Sequence, residues 1–420
     1  MKTSKSIKRI LIGAALFMLF TGLFTACPQK IKDKKISVDG ISLDKNELTI
    51  NVGESSKLSA AISPANASNK KITWTSDKPE IAEVDQNGNV TGKAEGNAVI
   101  TATTEDGNKT ATCTVKVEKG AILILSPDKK DIYIKAVTSS GSNITVIGCT
   151  QTELTSEVEQ TLHATSNRVI LKGDIKILYC SFNQLTNLYV QGLNDLEELY
   201  CSGNQLTSLD VQGLNNLKKL YCDENQLTSL DVDGLNNLKK LNCSENQLTS
   251  LNVHGLNNLK KLNCSKNQLT SLNVQGLNNL EELYCYRNQL TSLNVQGLNN
   301  LKNLYCSDNQ LISLDVQGLN NLESLDCYKN QLTSLNVQGL NNLKNLYFGL
   351  NKLTKEVFRK LFDDLPARTA GDNARCILYA EITGITEGNY TGFTMEELKV
   401  IKDKNWNTYK VNSSGYLEEI

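Results

Sequence analysis

Cysteine is the residue type whose number and spacing in this sequence first suggest chemistry. The 420 residues include 12 cysteines, and eight of them recur at a constant interval of 21 residues. They are Cys180, Cys201, Cys222, Cys243, Cys264, Cys285, Cys306 and Cys327. Paired zinc ligands lie roughly two to four residues apart, so this interval does not predict a metal site. Because a buried free cysteine behaves as a small apolar side chain, the pattern predicts a row of core thiols, here called the cysteine ladder.

An asparagine lies three residues after each of these cysteines. Its side-chain amide could in principle bind a ligand in every repeat. Nine repeats carry this residue, from Asn183 to Asn351. A buried amide at a turn has its donors and acceptors occupied by the backbone that bends there. We therefore interpret the asparagines as structural and predict no metal bound to them.

The residues that commonly carry out catalysis are scarce. His163 and His254 are the two histidines, and the sequence holds no G-x-S-x-G, no phosphate-binding loop and no Cys–His pairing. A pair of catalytic carboxylates among the scattered acidic residues is the remaining enzymatic alternative. The sequence thus predicts a protein that is not an enzyme and has no cofactor and no metal.

The N-terminus has the order of residues that is typical of an export signal. Lys2, Lys5, Lys8 and Arg9 precede the apolar run 10–24, and Thr25 and Ala26 lead to Cys27. Residues 24–27, Phe-Thr-Ala-Cys, resemble a bacterial lipobox, which implies that residues 1–26 are removed and that Cys27 is diacylated. Two acyl chains suffice for a stable membrane anchor. Pro28 follows, where an Asp often implies retention in the inner membrane, so the resemblance favours the outer membrane.

The charge of the chain argues against nucleic acid as a partner. The formal charge is −1, and removal of four basic residues with the signal gives −5. No basic run is present to neutralise phosphates. Residues 27–35 form a short polar tether to the membrane.

Residues 36–118 read as short strands separated by turns. Cys113, Val115 and Val117 alternate with polar residues, and Asn87-Gly88 is a hairpin signal. Trp74 and Cys113 are predicted core residues. The stretch ITWTSDKPEIAEVDQNGNVTGKAEGNAVITATT resembles the group 2 bacterial immunoglobulin-like domain of surface proteins such as invasins and intimins. This resemblance implies a β-sandwich that often serves as a stalk.

Residues 175–354 repeat one 21-residue unit about nine times. The unit LKKLYCDENQLTSLDVDGLNN resembles a leucine-rich repeat with Cys in place of the third Leu, as in spirochaete and Bacteroidetes surface proteins. This resemblance implies a solenoid with a parallel β-sheet. Its leucines fill the interior of one coil, and no coil can bury them without neighbours on both sides. The predicted fold is therefore multidomain, with a β-sandwich followed by a capped leucine-rich-repeat solenoid.

The two ends of the solenoid require caps. In residues 119–174 we predict a hairpin from 131–137 and 144–147, followed by a helix on the stripe Leu154, Val158 and Leu162, capped by Thr152 and containing His163. In residues 355–420 we predict a helix that ends at Pro366 and a second helix that opens with a capping box at Thr394. Two strands, RCILYAEIT and NWNTYKV, complete this α/β cap.

The outward face of the repeat strands is the predicted binding site. The residue between the second Leu and the Cys must point outward if its neighbours point inward. This position reads Tyr179, Tyr200, Tyr221, Asn242, Asn263, Tyr284, Tyr305, Asp326 and Tyr347. Residues two positions after this outward position share the same face and include Tyr286 and Tyr328. Residues two positions before it also share the face and include Glu198, Lys219, Lys240, Lys261 and Glu282.

We predict that the tyrosines and the basic centre of this face bind a protein with an acidic middle. The candidate ligand-binding residues are Tyr200, Tyr221, Tyr284, Tyr286, Tyr305, Tyr328, Lys219, Lys240 and Lys261. The alternative is that the tyrosines stack on one another and only stabilise the sheet. The predicted function is an adhesin-like, surface-exposed lipoprotein of the outer membrane that binds host extracellular matrix, a host cell surface or a partner bacterium. A periplasmic or envelope scaffold without external ligand is the alternative function.

Overall fold

The first structural unit of the computed structural model, which describes residues 35–381 and 394–420, is a β-sandwich. Its strands are β1 (Gly40–Leu43), β2 (Glu47–Asn51), β3 (Ser55–Lys57), β4 (Ala60–Ser63), β5 (Ile72–Ser76), β6 (Ala82–Val84), β7 (Asn89–Gly92), β8 (Gly96–Thr104) and β9 (Thr110–Glu118). The sheet β2-β9-β8-β5 is accompanied by the sheet β3-β7-β6 and by the pair β1-β4. The predicted signal and lipidation site at Cys27 lie outside the described residues.

The alternation seen in the sequence accounts for the core of this sandwich. In β9, Cys113, Val115 and Val117 are buried, and the residues between them face solvent. Trp74 is buried in the same core. The hairpin β6–β7 turns at Gly88, whose positive φ of 81° suits glycine. The predictions for these residues are confirmed.

The second unit begins with a β-rich cap that differs from the predicted one. Its strands are β10 (Ala121–Leu125), β11 (Asp131–Thr138), β12 (Ile144–Ile147), β13 (Glu153–Leu154), β14 (Gln160–His163), β15 (Arg168–Lys172), β16 (Ile175–Tyr179) and β17 (Leu185–Tyr189). Strands β11 and β12 do not form a hairpin: β11 pairs with β14 and β16, and β12 pairs with β13 and β15. The hairpin prediction is wrong.

The predicted helix over Leu154, Val158 and Leu162 is also wrong. Leu154 and Leu162 are buried on two short strands that belong to different sheets, whereas Val158 is exposed. Glu157 has φ of 69°, a left-handed conformation that interrupts a right-handed helix. Thr152 therefore caps no helix, and His163 ends strand β14.

The repeats build one parallel sheet in which each coil adds one strand. After β16 come β18 (Glu198–Tyr200), β19 (Lys219–Tyr221), β20 (Lys240–Asn242), β21 (Lys261–Asn263), β22 (Glu282–Tyr284), β23 (Asn303–Tyr305), β24 (Ser324–Asp326) and β25 (Asn345–Tyr347). Neighbouring strands pair in register, so that Leu220 lies beside Leu241. The leucines and the ladder cysteines are buried in a single continuous core, which confirms the predicted solenoid.

The C-terminal cap covers the last coil. It consists of α1 (Lys355–Asp364), a short 3₁₀ turn (Ala370–Asp372), β26 (Ala374–Ala380), α2 (Met395–Lys402), β27 (Trp406–Val411) and β28 (Leu417–Glu419). Phe348 replaces the ladder cysteine in the last coil and packs against Phe358 of α1. The capping box at Thr394 is present, as predicted. Among the described residues, no helix has the length and apolar character needed to cross a membrane.

Candidate binding face

The short repeat strands place one side chain of each coil inward and its two neighbours outward. In β19, Leu220 is buried, and Lys219 and Tyr221 are half-buried on the outer face. The same pattern holds in β18, β20, β21, β22, β23 and β25. The structure therefore collects the tyrosines and lysines singled out in the sequence on one face of the sheet, here called the strand face.

The tyrosines of the strand face form two stacked blocks. In the first block, Tyr179, Tyr200 and Tyr221 follow one another with ring centroids 4.3 and 4.9 Å apart and nearly parallel planes. In the second block, Tyr284 and Tyr305 are 4.9 Å apart with an interplanar angle of 6°. Stacking therefore occupies most ring faces, and the outer edges of the rings remain for contact with a partner.

Carboxylates from the same face bond the tyrosines on either side of the centre. The hydroxyl of Tyr200 donates to Glu198 Oε2 at 2.7 Å, and the hydroxyl of Tyr284 donates to Glu282 Oε2 at 3.2 Å. Burial, together with the charge of Glu282, raises the pKa of Tyr284 to about 12. Both phenols are therefore neutral donors at physiological pH.

The basic centre is smaller than the sequence indicates. Lys219 Nζ lies 2.9 Å from Glu198 Oε1, and Lys261 forms an ion pair with Glu282. Within residues 35–381 and 394–420, no carboxylate oxygen lies within 4 Å of Lys240 Nζ, so Lys240 is the uncompensated cation of the three. The strand face presents one net positive charge at its centre.

A depression separates the two tyrosine blocks, at the coils where Asn242 and Asn263 replace tyrosine. It has a volume of about 160 Å³ and is lined by Tyr221, Tyr284, Lys240 and Lys261 among others. Asn242 and Asn263 also line the depression, and neighbouring serines hold their amides, since Asn242 Oδ1 accepts from Ser244 Oγ at 2.8 Å and Asn263 Oδ1 accepts from Ser265 Oγ at 2.7 Å.

The far end of the strand face is acidic and more buried. Asp326 takes the tyrosine position and accepts hydrogen bonds from Ser307 Oγ at 2.8 Å and from the Tyr328 backbone N–H at 3.1 Å. Burial raises the pKa of Asp326 to about 6 in spite of these bonds. Tyr286 and Tyr328 lie half-buried beside the stacked rows, and burial raises the pKa of Tyr328 to about 12.

Behind the strand face, the cysteine ladder and the asparagine row are structural. Each ladder thiol is fully buried, and burial raises the pKa of Cys180 and Cys264 to about 12. Asn246 Nδ2 donates to the carbonyls of Cys222, Cys243 and Ser244, and its Oδ1 accepts from the Leu227 N–H. These bonds agree with the structural interpretation of the asparagines, because the amide of each turn is engaged by the backbone that bends there.

The histidines do not assemble a catalytic site. His163 Nδ1 lies 2.6 Å from Asp131 Oδ1 at the exposed end of β14, and His254 is exposed on a return segment. In the described part of the chain, no group of three or more His, Cys, Asp or Glu side chains could hold a metal ion.

The structure brings together the predicted tyrosines and lysines, and it adds three features that residue spacing did not single out. These are the ion pairs of Lys219 and Lys261, the depression at Asn242 and Asn263, and the raised pKa of Asp326. The ion pairs and the depression could have been predicted by aligning the repeats in register. This alignment places Glu198 beside Lys219 and Asn242 beside Asn263.

Family profiles match both kinds of unit. Residues 37–115 match the bacterial Ig-like domain (group 2), and residues 195–217 match the leucine-rich repeat. The chain carries a group 2 bacterial Ig-like domain followed by leucine-rich repeats. Both domain types suggest protein–protein interaction.

Curated relatives share only part of this chain. The Ig-like virion protein of Serratia phage KSP90 is 47% identical over 83 residues, which are 20% of this chain and 32% of the phage protein. The alpha-L-arabinofuranosidase of Bifidobacterium longum subsp. longum is 40% identical over 83 residues, 20% of this chain and 8% of the enzyme. The match to the glycosidase concerns the Ig-like domain. The chain thus spans a third or less of the length of these relatives.

Solved structures of other leucine-rich-repeat proteins resemble the solenoid. The functional domain of InlJ from Listeria monocytogenes, which includes a cysteine ladder, gives a TM-score of 0.43 at 28% identity and covers 52% of each chain. YopM from Yersinia pestis gives a TM-score of 0.37 at 29% identity, with 42% of this chain and 50% of YopM covered. At TM-scores below 0.5, these likenesses carry no conclusion about function.

Proposed function

We propose that this chain is a surface lipoprotein, anchored in the outer membrane through Cys27, whose strand face binds a protein of a host or of a partner bacterium. The observation that carries the proposal is the contrast between the two sides of each repeat strand. Inward positions hold leucine and, in all coils but the last, cysteine, whereas six of the nine outward positions hold half-buried tyrosines. Tyrosine supplies a large contact area at low entropic cost, which suits recognition of a protein.

Binding rather than catalysis accounts for the composition of the strand face. Tyr284 and Tyr328 have raised pKa values, Lys219 is paired with Glu198, and the Tyr200 hydroxyl donates to Glu198, so none of these groups is poised for proton transfer near pH 7. Asp326, whose pKa is raised to about 6, is the nearest candidate, but it is largely buried and its Oδ2 accepts a hydrogen bond from Ser307 Oγ.

The binding part of the proposal is tested by removing aromatic area from the strand face. The triple variant Tyr284→Ser, Tyr286→Ser and Tyr305→Ser should weaken attachment of the purified protein to host cells or matrix by at least about tenfold, near 1.4 kcal/mol. Tyr416→Ser is the matched control, because Tyr416 is 72% exposed and lies outside this face. Unchanged attachment of the triple variant, with an unaltered melting curve, would move the site elsewhere on the molecule.

The anchoring part of the proposal concerns Cys27. Cys27→Ala should shift the protein from the detergent phase to the aqueous phase and abolish incorporation of labelled fatty acid, because the thiol that carries the diacylglyceryl group is missing. Continued labelling of the variant would contradict the lipobox interpretation. Cleavage of the protein by protease added to intact cells distinguishes a surface adhesin from a periplasmic scaffold, which would be protected.

A further inference from the structure

The row of stacked tyrosines is interrupted between Tyr221 and Tyr284. The gap is as long as two tyrosine rings at the stacking interval of the row. Tyr221 ends the first block and Tyr284 begins the second, and each stacks on its own block through one ring face. The other faces of Tyr221 and Tyr284 look toward the depression at Asn242 and Asn263. Because the strands remain in register through these two coils, the row lacks two consecutive rings.

The depression is open to planar groups because asparagines, which are smaller than tyrosines, line it in place of the two missing rings. Asn242 and Asn263 bond Ser244 and Ser265, and Asn263 Nδ2 also donates to Ser244 Oγ at 3.3 Å. The flanking rings repeat at 4.9 Å, so two added rings at that interval would continue the stack from one block to the other. Offset stacking of aromatic rings adds stabilisation beyond the burial of area.

The charges around the depression restrict the charge that an occupant can carry. Lys219 and Lys261 are compensated by Glu198 and Glu282, one on each side, whereas Lys240 lines the depression without a carboxylate partner in the described part of the chain. An occupant with one carboxylate beside its rings would compensate Lys240. A strongly acidic occupant would instead meet the two glutamates.

We propose that the depression between Tyr221 and Tyr284 is a specificity pocket for a β-hairpin of the partner protein that presents a cross-strand pair of aromatic side chains next to one carboxylate. This inference rests on the proposed binding function of the strand face. Cross-strand neighbours in an antiparallel pair have Cβ atoms roughly 4.5–5.5 Å apart, which matches the interval of the missing rings. Same-side residues of a single extended strand are roughly 6.6 Å apart, a poorer match.

A designed hairpin tests the pocket with purified full-length protein in detergent. The probe is a disulfide-closed, fluorophore-labelled β-hairpin with a cross-strand Trp–Trp pair and an adjacent Glu, and its binding is followed by fluorescence anisotropy. The double variant Asn242→Tyr and Asn263→Tyr completes the row with the residue that other repeats use, so it should fold, melt no lower than the parent and bind the probe at least tenfold more weakly. Asn242→Ala with Asn263→Ala leaves the pocket open and should bind within about threefold of the parent.

The charge of the pocket is tested separately. Lys240→Glu should weaken binding of the probe at least fivefold, and a probe with Gln in place of Glu should lose most of this sensitivity. Lys239→Glu is the matched control, because it makes the same change of charge in the same repeat at an exposed position outside the pocket lining. Absence of probe binding to the parent protein, or equal binding by the Asn242→Tyr and Asn263→Tyr variant, would overturn the proposal.

Attachment to partner cells separates this inference from the proposed function. If the pocket is used, the double tyrosine variant loses attachment as the triple serine variant does. Loss in the serine variant together with normal attachment of the double tyrosine variant overturns the pocket and leaves the binding face in place. Normal attachment of both variants overturns the two proposals together.

Discussion

At the scale of single residues, Asp326 has an unusual carboxyl group for a protein surface. Burial raises its pKa to about 6, and Asp308 contributes to the increase. Other repeats carry a neutral residue at this position, either tyrosine or, in Asn242 and Asn263, an amide of nearly the same shape. The strand face therefore tolerates a neutral polar group here better than an anion.

The raised pKa of Asp326 predicts a pH dependence of stability. An unfolded aspartate has a pKa of roughly 3.9, so the folded state holds the proton more tightly than the unfolded state. This contribution to stability is fully present below about pH 4 and is lost as the pH rises through about 6. Asp326→Asn should therefore raise the free energy of unfolding by roughly 1–3 kcal/mol at pH 7.5 and leave it nearly unchanged at pH 4. Urea denaturation at the two pH values measures the difference, and an equal effect at both would contradict the assignment.

The cysteine ladder gives a second prediction at this scale. Burial raises the pKa of each ladder thiol, and successive strands in register hold neighbouring Cβ atoms farther apart than the roughly 3.5–4.5 Å of a disulfide. We expect the eight thiols to stay reduced in an oxidising compartment. Alkylation under denaturing, non-reducing conditions followed by mass spectrometry should label all eight, whereas alkylation of the native protein should spare them. Disulfides between adjacent repeats would refute the argument.

At the scale of elements, each coil contains one residue in a left-handed conformation just before the structural asparagine. Glu224, Glu245 and Lys266 have φ of 53°, and the same position in the second coil is Gly203. A Cβ added at Gly203 would lie 2.2 Å from the exposed ring of Phe182, so a larger residue there would displace that ring. The other coils hold side chains in a conformation that costs roughly 1–2 kcal/mol per residue.

This strain predicts that glycine stabilises the turn. Glu224→Gly should raise the free energy of unfolding by about 1 kcal/mol, because relief of the left-handed strain exceeds the entropy that glycine adds to the unfolded chain. Glu224→Ala keeps the Cβ and should leave stability nearly unchanged. The midpoint of urea denaturation distinguishes the three proteins, and equal gains for glycine and alanine would show that loss of the Glu224 charge is responsible.

The periodicity of the sequence predicted those strands whose pairing partner is given by the same repeat that predicts the strand itself. In the repeats, each strand pairs with the strand 21 residues away, so one coil specifies the next. In the N-terminal cap, β12 pairs with β15 and β10 pairs with β17 across long stretches of chain, and no local pattern encodes those partners. The apolar spacing of Leu154, Val158 and Leu162 imitated a helix, although only two of these side chains enter the core.

The candidate site shows the same limit. Alternation predicted which residues share the strand face, because side-chain direction follows from the strand alone. The compensation of Lys219 and Lys261 depends on the rotamers of long side chains, and the shape of the depression depends on the bonds of Asn242 and Asn263 to neighbouring serines. These features require coordinates, although the row Glu198, Lys219, Lys240, Lys261 and Glu282 already places opposite charges side by side.

At the scale of the whole molecule, the Ig-like domain is packed against the first coils of the solenoid. Lys119 and Gly120 are the two residues that connect β9 to β10. Arg168 Nη2 lies 2.9 Å from Glu54 Oε2, and Lys172 forms an ion pair with Glu118. A Cβ added at Gly192 would lie 3.0 Å from the side chain of Val52, so the Gly192 backbone packs closely against this side chain. These contacts fix the orientation of the Ig-like domain relative to the N-terminal end of the solenoid.

Reversing the charge of one partner in each ion pair tests this contact. Arg168→Glu together with Lys172→Glu would place carboxylates opposite Glu54 and Glu118, and we expect the two domains to separate and the maximum dimension in small-angle X-ray scattering to increase. Lys130→Glu with Lys239→Glu makes the same change of net charge at exposed positions away from the contact, and its scattering profile should match the parent. Since each domain has its own core, the melting of neither should change greatly in the reversed variant. An unchanged profile in that variant would show that backbone packing at Gly192 and the short connection alone fix the orientation.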